Sequence, residues 1–312
     1  MRILFVTSTR IGDAVLSTGL LDHLIRAHPA ARITVACGPV AEGVFARMPN
    51  RERTIVLTKR RFGLHWLGLW GQVAPCWWDL VVDLRGSAIA WMVPARRRAV
   101  MRGGRRSGHR LLHIAEVLKL NPAPRPVAWF APEDVVRAAA LVPPGISLIA
   151  LGPTANWKGK VWPTDRFVHL AHALTAPDGA LPGARIVILG GPGEQERAMA
   201  APVLAALPEA LDLVGTLSLP EAAALLSRAA LFVGNDSGLM HLAAAAGTPT
   251  IGLFGPTPAS EYAPVGLRAM AVLARGRPGH APMGALPVAK VLDAVAALLA
   301  RPDPVPIGEV AL

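Results

Sequence analysis

Short apolar runs of four to six residues alternate, almost from end to end, with stretches in which apolar side chains recur every three or four positions. A continuous apolar run suits a strand buried on both faces, and the longer recurrence suits an amphipathic helix. The alternation therefore predicts βα units wound around parallel sheets. The first unit is ILFV at 3–6, the loop TSTRIG, and a helix over 13–27 marked by Leu16, Leu20, Leu21, Leu24 and Ile25. ITVA at 33–36, TIVL at 54–57 and LVVDL at 80–84 continue the series. A second series follows the Pro-rich stretch NPAPRPVAWFAP at 121–132: SLIAL at 147–151, RIVILG at 185–190, DLVG at 212–215, LFVG at 231–234 and TIGLFG at 250–255. It closes with a helix over 287–299, expected to pack back toward the first half. A Pro-dense segment without periodicity reads as a linker. Two α/β domains, 1–130 and 131–312, follow, and a length of 312 residues also favours two cores over one. Such sheets bind ligands beyond the carboxyl ends of their strands, so a cleft between the domains is the expected site.

Charge sharpens this picture. The chain carries 32 Lys+Arg against 21 Asp+Glu, a net +11. Of these, 21 basic and 9 acidic residues precede Gly145, so the first part holds +12 and the remainder −1. Such asymmetry predicts an anionic partner for the first half: an acidic substrate, a membrane surface or nucleic acid. The densest run, ARRRAVMRGGRRSGHR at 95–110, has no interleaved aromatic residue. That weighs against stacking on nucleic-acid bases and toward acidic sugars or lipid headgroups, with a solvated loop as the plain alternative. Cys37 and Cys76 suggest neither a disulfide framework nor a zinc site and point to a reducing cytoplasm. The opening residues lack the features of a signal peptide. The uncharged stretches 138–157 and 237–260 are interrupted by Pro and Gly, so a cytoplasmic protein with at most peripheral contact at the inner membrane face is expected.

Several loops carry candidate chemistry. Asp13 stands where a strand, a small-residue loop and a helix start meet; it reads as a first-turn acid or as a general base facing a cleft. The spacing around it matches neither GxGxxG nor a P-loop. GPTANWKGKVWP, directly after SLIAL, offers Thr154, Lys158 and Lys160 to a phosphate, unless these are ordinary loop residues. Glu194 in ILGGPGEQE could accept from ribose hydroxyls or simply sit in a helix's first turn. The most informative stretch is VGNDSGLMHLAAAAGTPTIGLFGPT at 233–257. Its polar turn Asn235-Asp236-Ser237-Gly238 and small-residue helix make an anion pocket, where unpaired N–H groups and the positive helix end point outward. His241 shares a helix face with Ser237 and reads as either a core histidine or a ligand.

These segments, in this order, resemble the heptosyltransferases of bacterial lipopolysaccharide assembly, family 9 of the glycosyltransferases. MRILFVTSTRIGDAVLSTGLL is similar to the family's amino-terminal motif, DLVVDLRGSAIAW to its mid-domain strand and helix, GPTANWKGKVWP to its lysine motif and VGNDSGLMHLAAAAGTPTIGLFGPT to its donor-binding signature. The resemblance implies a GT-B architecture, two Rossmann-like domains facing each other across a cleft. The first would bind an acidic inner-core acceptor and the second a nucleotide sugar, ADP-heptose. It implies inverting transfer without a metal ion or other cofactor. Asp13 matches the general base and Lys160 the lysine that neutralises the leaving diphosphate. Asp236, Ser237, Gly238 and His241 match the donor loop, with Thr154 and Glu194 beside it. Arg60, Arg61, Arg96, Arg97, Arg98 and the arginines from Arg102 to Arg110 would then face the acceptor. Two other readings stay open on the sequence: a GT-B enzyme acting on another nucleotide sugar, including a hydrolase or epimerase, and a non-enzymatic protein that binds through its basic half.

Overall fold

The computed structural model of the chain describes residues 1–102 and 107–301. It contains two compact units, mainly Met1–Leu141 and Val142–Leu312. The short stretches Leu217–Leu225 and Ser260–Tyr262 cluster with the first unit.

In the first unit, strands β1 (Arg2–Val6), β2 (Arg32–Cys37), β3 (Arg51–Val56), β4 (Trp78–Asp83) and β5 (Ala95–Val100) form one parallel sheet in the order β3-β2-β1-β4-β5. The order reverses between β1 and β4, where Ile3 to Val6 lie opposite Leu80 to Asp83. Helices α1 (Ile11–Ala27), α2 (Leu64–Val73), α3 (Ile89–Met92), α4 (Arg110–Glu116) and α5 (Pro132–Leu141) complete the unit. β1 is buried except at Arg2, because helices cover both faces of a parallel sheet. The core joins Leu4, Val6, Leu69, Val73, Trp78 and Val81. The Pro-rich stretch has no regular structure over 123–131 and lies along α1. Thr18 Oγ1 accepts from the Val127 N–H at 2.8 Å, and a Cβ on Gly19 would meet the carbonyl oxygens of Pro124 and Arg125 at 2.5 Å. The chain can run there only because position 19 has no side chain.

In the second unit, β6 (Leu148–Gly152), β7 (Arg185–Ile188), β8 (Leu211–Asp212), β9 (Leu231–Asn235), β10 (Thr250–Phe254) and β11 (Ala269–Leu273) form a parallel sheet in the order β11-β10-β9-β6-β7-β8. Counted from its own first strand, this is the 3-2-1-4-5-6 order of a Rossmann fold, with the switch between β6 and β9. The helices that follow α5 are α6 (Thr164–Thr175), α7 (Glu194–Ala206), α8 (Leu219–Leu226), α9 (Gly238–Ala245), α10 (Ala259–Tyr262) and α11 (Val288–Leu299), of which α8 and α10 lie mostly in the stretches that cluster with the first unit. Trp162 is fully buried, edge-on to Phe167 at 5.1 Å, and its indole N–H donates to the Leu286 carbonyl at 2.9 Å. The stripe Val291, Val295 and Leu298 of α11 belongs to this second core. Among the described residues no helix is long and apolar enough to cross a membrane.

Two strands lie where the apolar pattern showed none. ARRRAV is edge strand β5, whose one free edge lets three consecutive arginines stay exposed. AMAVL is β11, at the opposite edge of the second sheet.

Candidate active site

In each unit some of the candidate residues, Asp13 in the first and Lys160 with Asp236 to Gly238 in the second, gather at the strand-order reversal, where loops from adjacent strands diverge and leave a crevice. In the first unit, β1 runs through Thr7 and Ser8 into α1, whose third residue is Asp13. Asp13 does not cap that helix: the N-cap is Arg10, which has no side-chain bond to the first turn. On the neighbouring strand, buried Asp83 accepts from the Arg85 N–H at 2.8 Å, the Ser87 N–H at 2.8 Å and the Ser87 hydroxyl at 2.6 Å. These bonds fix the loop after β4 and carry the Arg85 guanidinium over the Trp66 ring, 5.4 Å from its centroid.

A cavity of about 230 Å³ opens there, lined by Thr7, Ser8, Asp13, Leu84, Arg85, Arg110 and Ile114. Asp13 Oδ2 accepts a long hydrogen bond from the Ser8 hydroxyl at 3.5 Å. Asp13 Oδ1 lies 3.7 Å from Arg110 Nε, close enough for ionic attraction and too far for a hydrogen bond. Among the described residues neither of these two buried atoms has a hydrogen-bond partner. Asp13 thus meets the Arg110 guanidinium in a cavity whose lining also includes Arg85, which suits it to an anionic ligand that also carries a hydroxyl. Tyr262, the chain's one tyrosine, senses the same charges. Burial first, and the Asp13 charge second, push its phenol up against the pull of Arg110.

In the second unit, β6 leads through Thr154 into the turn Lys158–Lys160, and adjacent β9 ends at Asn235. Asn235 is fully buried and ties the two loops together. Its Oδ1 accepts from the Trp162 N–H at 3.0 Å, and its Nδ2 lies 3.5 Å from the Thr154 carbonyl. Lys160 Nζ donates to Asp236 Oδ2 at 2.6 Å, with both side chains largely buried. Ser237 is the N-cap of α9 in extended conformation, and its side chain makes no capping bond. The N–H groups of the first turn of α9 therefore have no side-chain acceptor at the cap.

Three glycines seat this loop. Gly152, Gly234 and Gly252 stand opposite one another across β6, β9 and β10. A Cβ on Gly234 would meet the Phe232 ring at 2.7 Å and the Gly152 carbonyl at 3.0 Å; one on Gly252 would meet Met240 Sδ of α9 at 2.4 Å. The bare row lets Phe232 and α9 press onto the sheet.

Residues 125–282, just over half of the chain, match the family model of glycosyltransferase family 9 (heptosyltransferase). The chain belongs to this family. It is 26% identical over 305 residues to lipooligosaccharide heptosyltransferase 2 of Haemophilus influenzae, covering 85% of this chain and 86% of the relative. The crystal structure of a family 9 glycosyl transferase from Veillonella parvula superposes with a TM-score of 0.78 at 22% identity, over 96% of this chain and 97% of that one. E. coli heptosyltransferase WaaC, solved with ADP-2-deoxy-2-fluoro heptose, superposes with a TM-score of 0.69 at 18% identity, over 95% and 99%. The fold of this family 9 enzyme is GT-B, built from two Rossmann-like units.

The residues singled out by sequence are distributed unevenly over this architecture. Lys160, Asp236, Ser237 and Gly238 come together at one switch point, with His241 buried in the helix that follows. Thr154 is buried, and its methyl faces Gly190, where a Cβ would lie 3.2 Å away. Glu194 is exposed at the start of α7, whereas Glu196 reaches back to the Gly191 N–H at 3.3 Å. Arg60, Arg61, Arg96 and Arg97 are exposed. Arg98 donates to the carbonyls of Ala90, Val93 and Ala95 at 2.6, 2.8 and 3.0 Å. Of the run from Arg102 to Arg110, residues 103–106 lie outside the described residues. Arg85, which no motif argument had singled out, enters the cavity because β4 neighbours β1.

Proposed function

We propose that this enzyme transfers a heptose from ADP-heptose to an acidic lipopolysaccharide inner-core acceptor, with inversion at the anomeric carbon and without a metal ion. The observation that carries the reading is the pairing of a carboxylate crevice on one sheet with an anion-ready helix start on the other, each at its strand-order reversal. The solved WaaC complex holds an ADP-heptose analogue on the same fold.

The first unit binds the acceptor. Its hydroxyl donates to Asp13, whose carboxylate takes the proton as the oxygen attacks the anomeric carbon from the face opposite the diphosphate. The bond to the diphosphate oxygen breaks and ADP leaves. The N–H groups of Ser237, Gly238 and the first turn of α9, together with Lys160, take up the charge that develops on the leaving group. Asp236 holds Lys160 in place, while Thr154, Glu194 and His241 complete the donor side. Arg85 and Arg110 hold the acidic group of the acceptor, within a wider basic surface that includes Arg60, Arg61, Arg96 and Arg97. Unpaired Cys37 and Cys76 go with a cytoplasmic setting.

The test mixes the purified chain with ADP-heptose and heptose-free lipopolysaccharide and follows product mass and anomeric configuration. The expected outcome is one added heptose of inverted configuration, formed at an unchanged rate in EDTA. Transfer from UDP-sugars with none from ADP-heptose would overturn the donor assignment, and loss of activity in EDTA would overturn the metal-free one.

A further inference from the structure

Outside the crevice the first unit carries an apolar face that nothing in the unit covers. Phe62 is 85% exposed, Trp91 68%, Leu67 58%, Met92 52%, Leu64 50% and Trp70 40%. On α2, Leu69 and Val73 enter the core while Leu64, Leu67 and Trp70 follow one another at three-residue intervals along the outer side. The indole N–H of Trp70 donates to the Met92 carbonyl at 3.0 Å, which joins this stripe to Trp91 and Met92 on α3. At the other end, Phe62 and Gly63 take consecutive left-handed conformations, φ 54° and φ 73°, and Phe62 projects into solvent. A bulky residue in that region is unusual, and burial in the unit does not repay it.

Cations rim the face. Arg61 lies over the Phe62 ring at 4.7 Å and Arg98 over Trp91 at 6.0 Å; Lys59 and Arg60 precede the stripe, and Arg96, two residues before Arg98, shares its face of edge strand β5. No aspartate or glutamate occurs over 53–78 or over 84–115. This composition decides the occupant. A second copy docking through the same patch would bring guanidiniums against guanidiniums with no carboxylate from either segment to compensate them. An anionic bilayer supplies both complements, phosphate for the arginines and an acyl boundary for tryptophan, phenylalanine and leucine.

We infer that this face, formed by the turn at Phe62, helix α2 and helix α3, docks on the surface of an anionic lipid bilayer, with Phe62, Leu67 and Trp91 inserted and Arg60, Arg61 and Arg96 on the headgroups. The inference does not depend on the transferase reading, and its test uses neither donor nor acceptor.

The experiment is cosedimentation of the full chain with unilamellar vesicles of phosphatidylcholine alone or with about 30 mol% phosphatidylglycerol, at low and high salt. The chain should partition at least about tenfold more strongly onto the anionic vesicles, and the advantage should shrink in high salt. Phe62→Ser/Leu67→Ser/Trp91→Ser should lower partition by at least about tenfold. Arg60→Ala and Arg61→Ala should each lower it by about fivefold. Leu267→Ser, at an exposed leucine of the second unit, should leave it unchanged. Each substituted side chain is exposed, so folding is retained, as circular dichroism would verify. Three results would overturn the inference: equal partition onto neutral and anionic vesicles, wild-type partition by the triple variant, or a vesicle-indifferent chain that sediments as a dimer broken by the same triple variant.

Discussion

Replacing Asp13 by asparagine keeps the side-chain shape and the contact with Ser8 but removes the one carboxylate that, among the described residues, lines the cavity with Arg85 and Arg110. If Asp13 takes the acceptor proton, kcat should fall by about 10²–10⁴, or roughly 3–5 kcal/mol of barrier. The acceptor's KM should move the other way. An acidic group held by the arginines about 6 Å from Asp13 is repelled by ~0.7–2.8 kcal/mol for effective dielectric constants of roughly 80 to 20. The Asp13 side chain is 19% exposed, which favours the weaker end, so a fall in acceptor KM of about three- to tenfold is expected. The KM for ADP-heptose should stay within about twofold, since Asp13 makes no part of the donor loop. Initial rates of ADP release, with product confirmed by mass, measure all three quantities. A variant that keeps kcat within about threefold of the parent, or whose acceptor KM rises, would show that Asp13 is not the base or that the arginines do not hold the acceptor's charge.

Three further outcomes follow from the packing. Gly234→Ala should lower the melting temperature of the second unit by several degrees, from about 1–3 kcal/mol of overpacking against Phe232 and the Gly152 carbonyl, and weaken ADP binding in calorimetry; Gly68→Ala on α2, where a Cβ meets nothing within 4 Å, should be neutral or stabilising by up to about 1 kcal/mol. For Asp134, burial raises the pKa, but the hydrogen bonds from Arg47 and the Ala131 N–H, with the Arg47 charge, outweigh it and leave the carboxyl below its ordinary 3.8. Its contribution to stability is therefore present above that value and lost as pH falls below it, so wild type and Asp134→Asn should converge in acid unfolding and diverge near neutrality. Burial, helped by Glu42, pushes the Cys37 thiol up to about 12, so iodoacetamide at pH 8 should label half-exposed Cys76 and spare Cys37; equal labelling by mass would contradict the burial of β2.

Most of the sheet strands were legible because parallel strands buried on both faces are nearly continuous apolar runs, as ILFV and LFVG are. β5 was not, since an edge strand needs no apolar face and ARRRAV reads as a charge run. The proposed donor loop was legible because 235–238 are contiguous and Lys160 lies in a second short motif. The proposed acceptor crevice was less fully legible. Asp13 stands out at a strand-loop-helix junction and Arg110 ends the basic run, but Arg85 lies 72 positions from Asp13 and shares its cavity only through the adjacency of β1 and β4. No local pattern encodes that adjacency. Asn235 was visible as part of a polar turn, yet its work, holding the Trp162 and Thr154 backbones, depends on the pairing of β6 with β9.

The glycine row across β6, β9 and β10 limits how the proposed donor loop can be transplanted. Grafting 232–257 alone into a distant relative would separate Phe232 and Gly234 from Gly152, about eighty positions upstream, and any side chain at 152 would strike Phe232 at 2.8 Å. Chimeras meant to exchange nucleotide-sugar preference should therefore carry the last residue of β6 with the loop, or retain a host glycine there, while the chemistry of positions 236 and 237 can be varied on an unmoved seat.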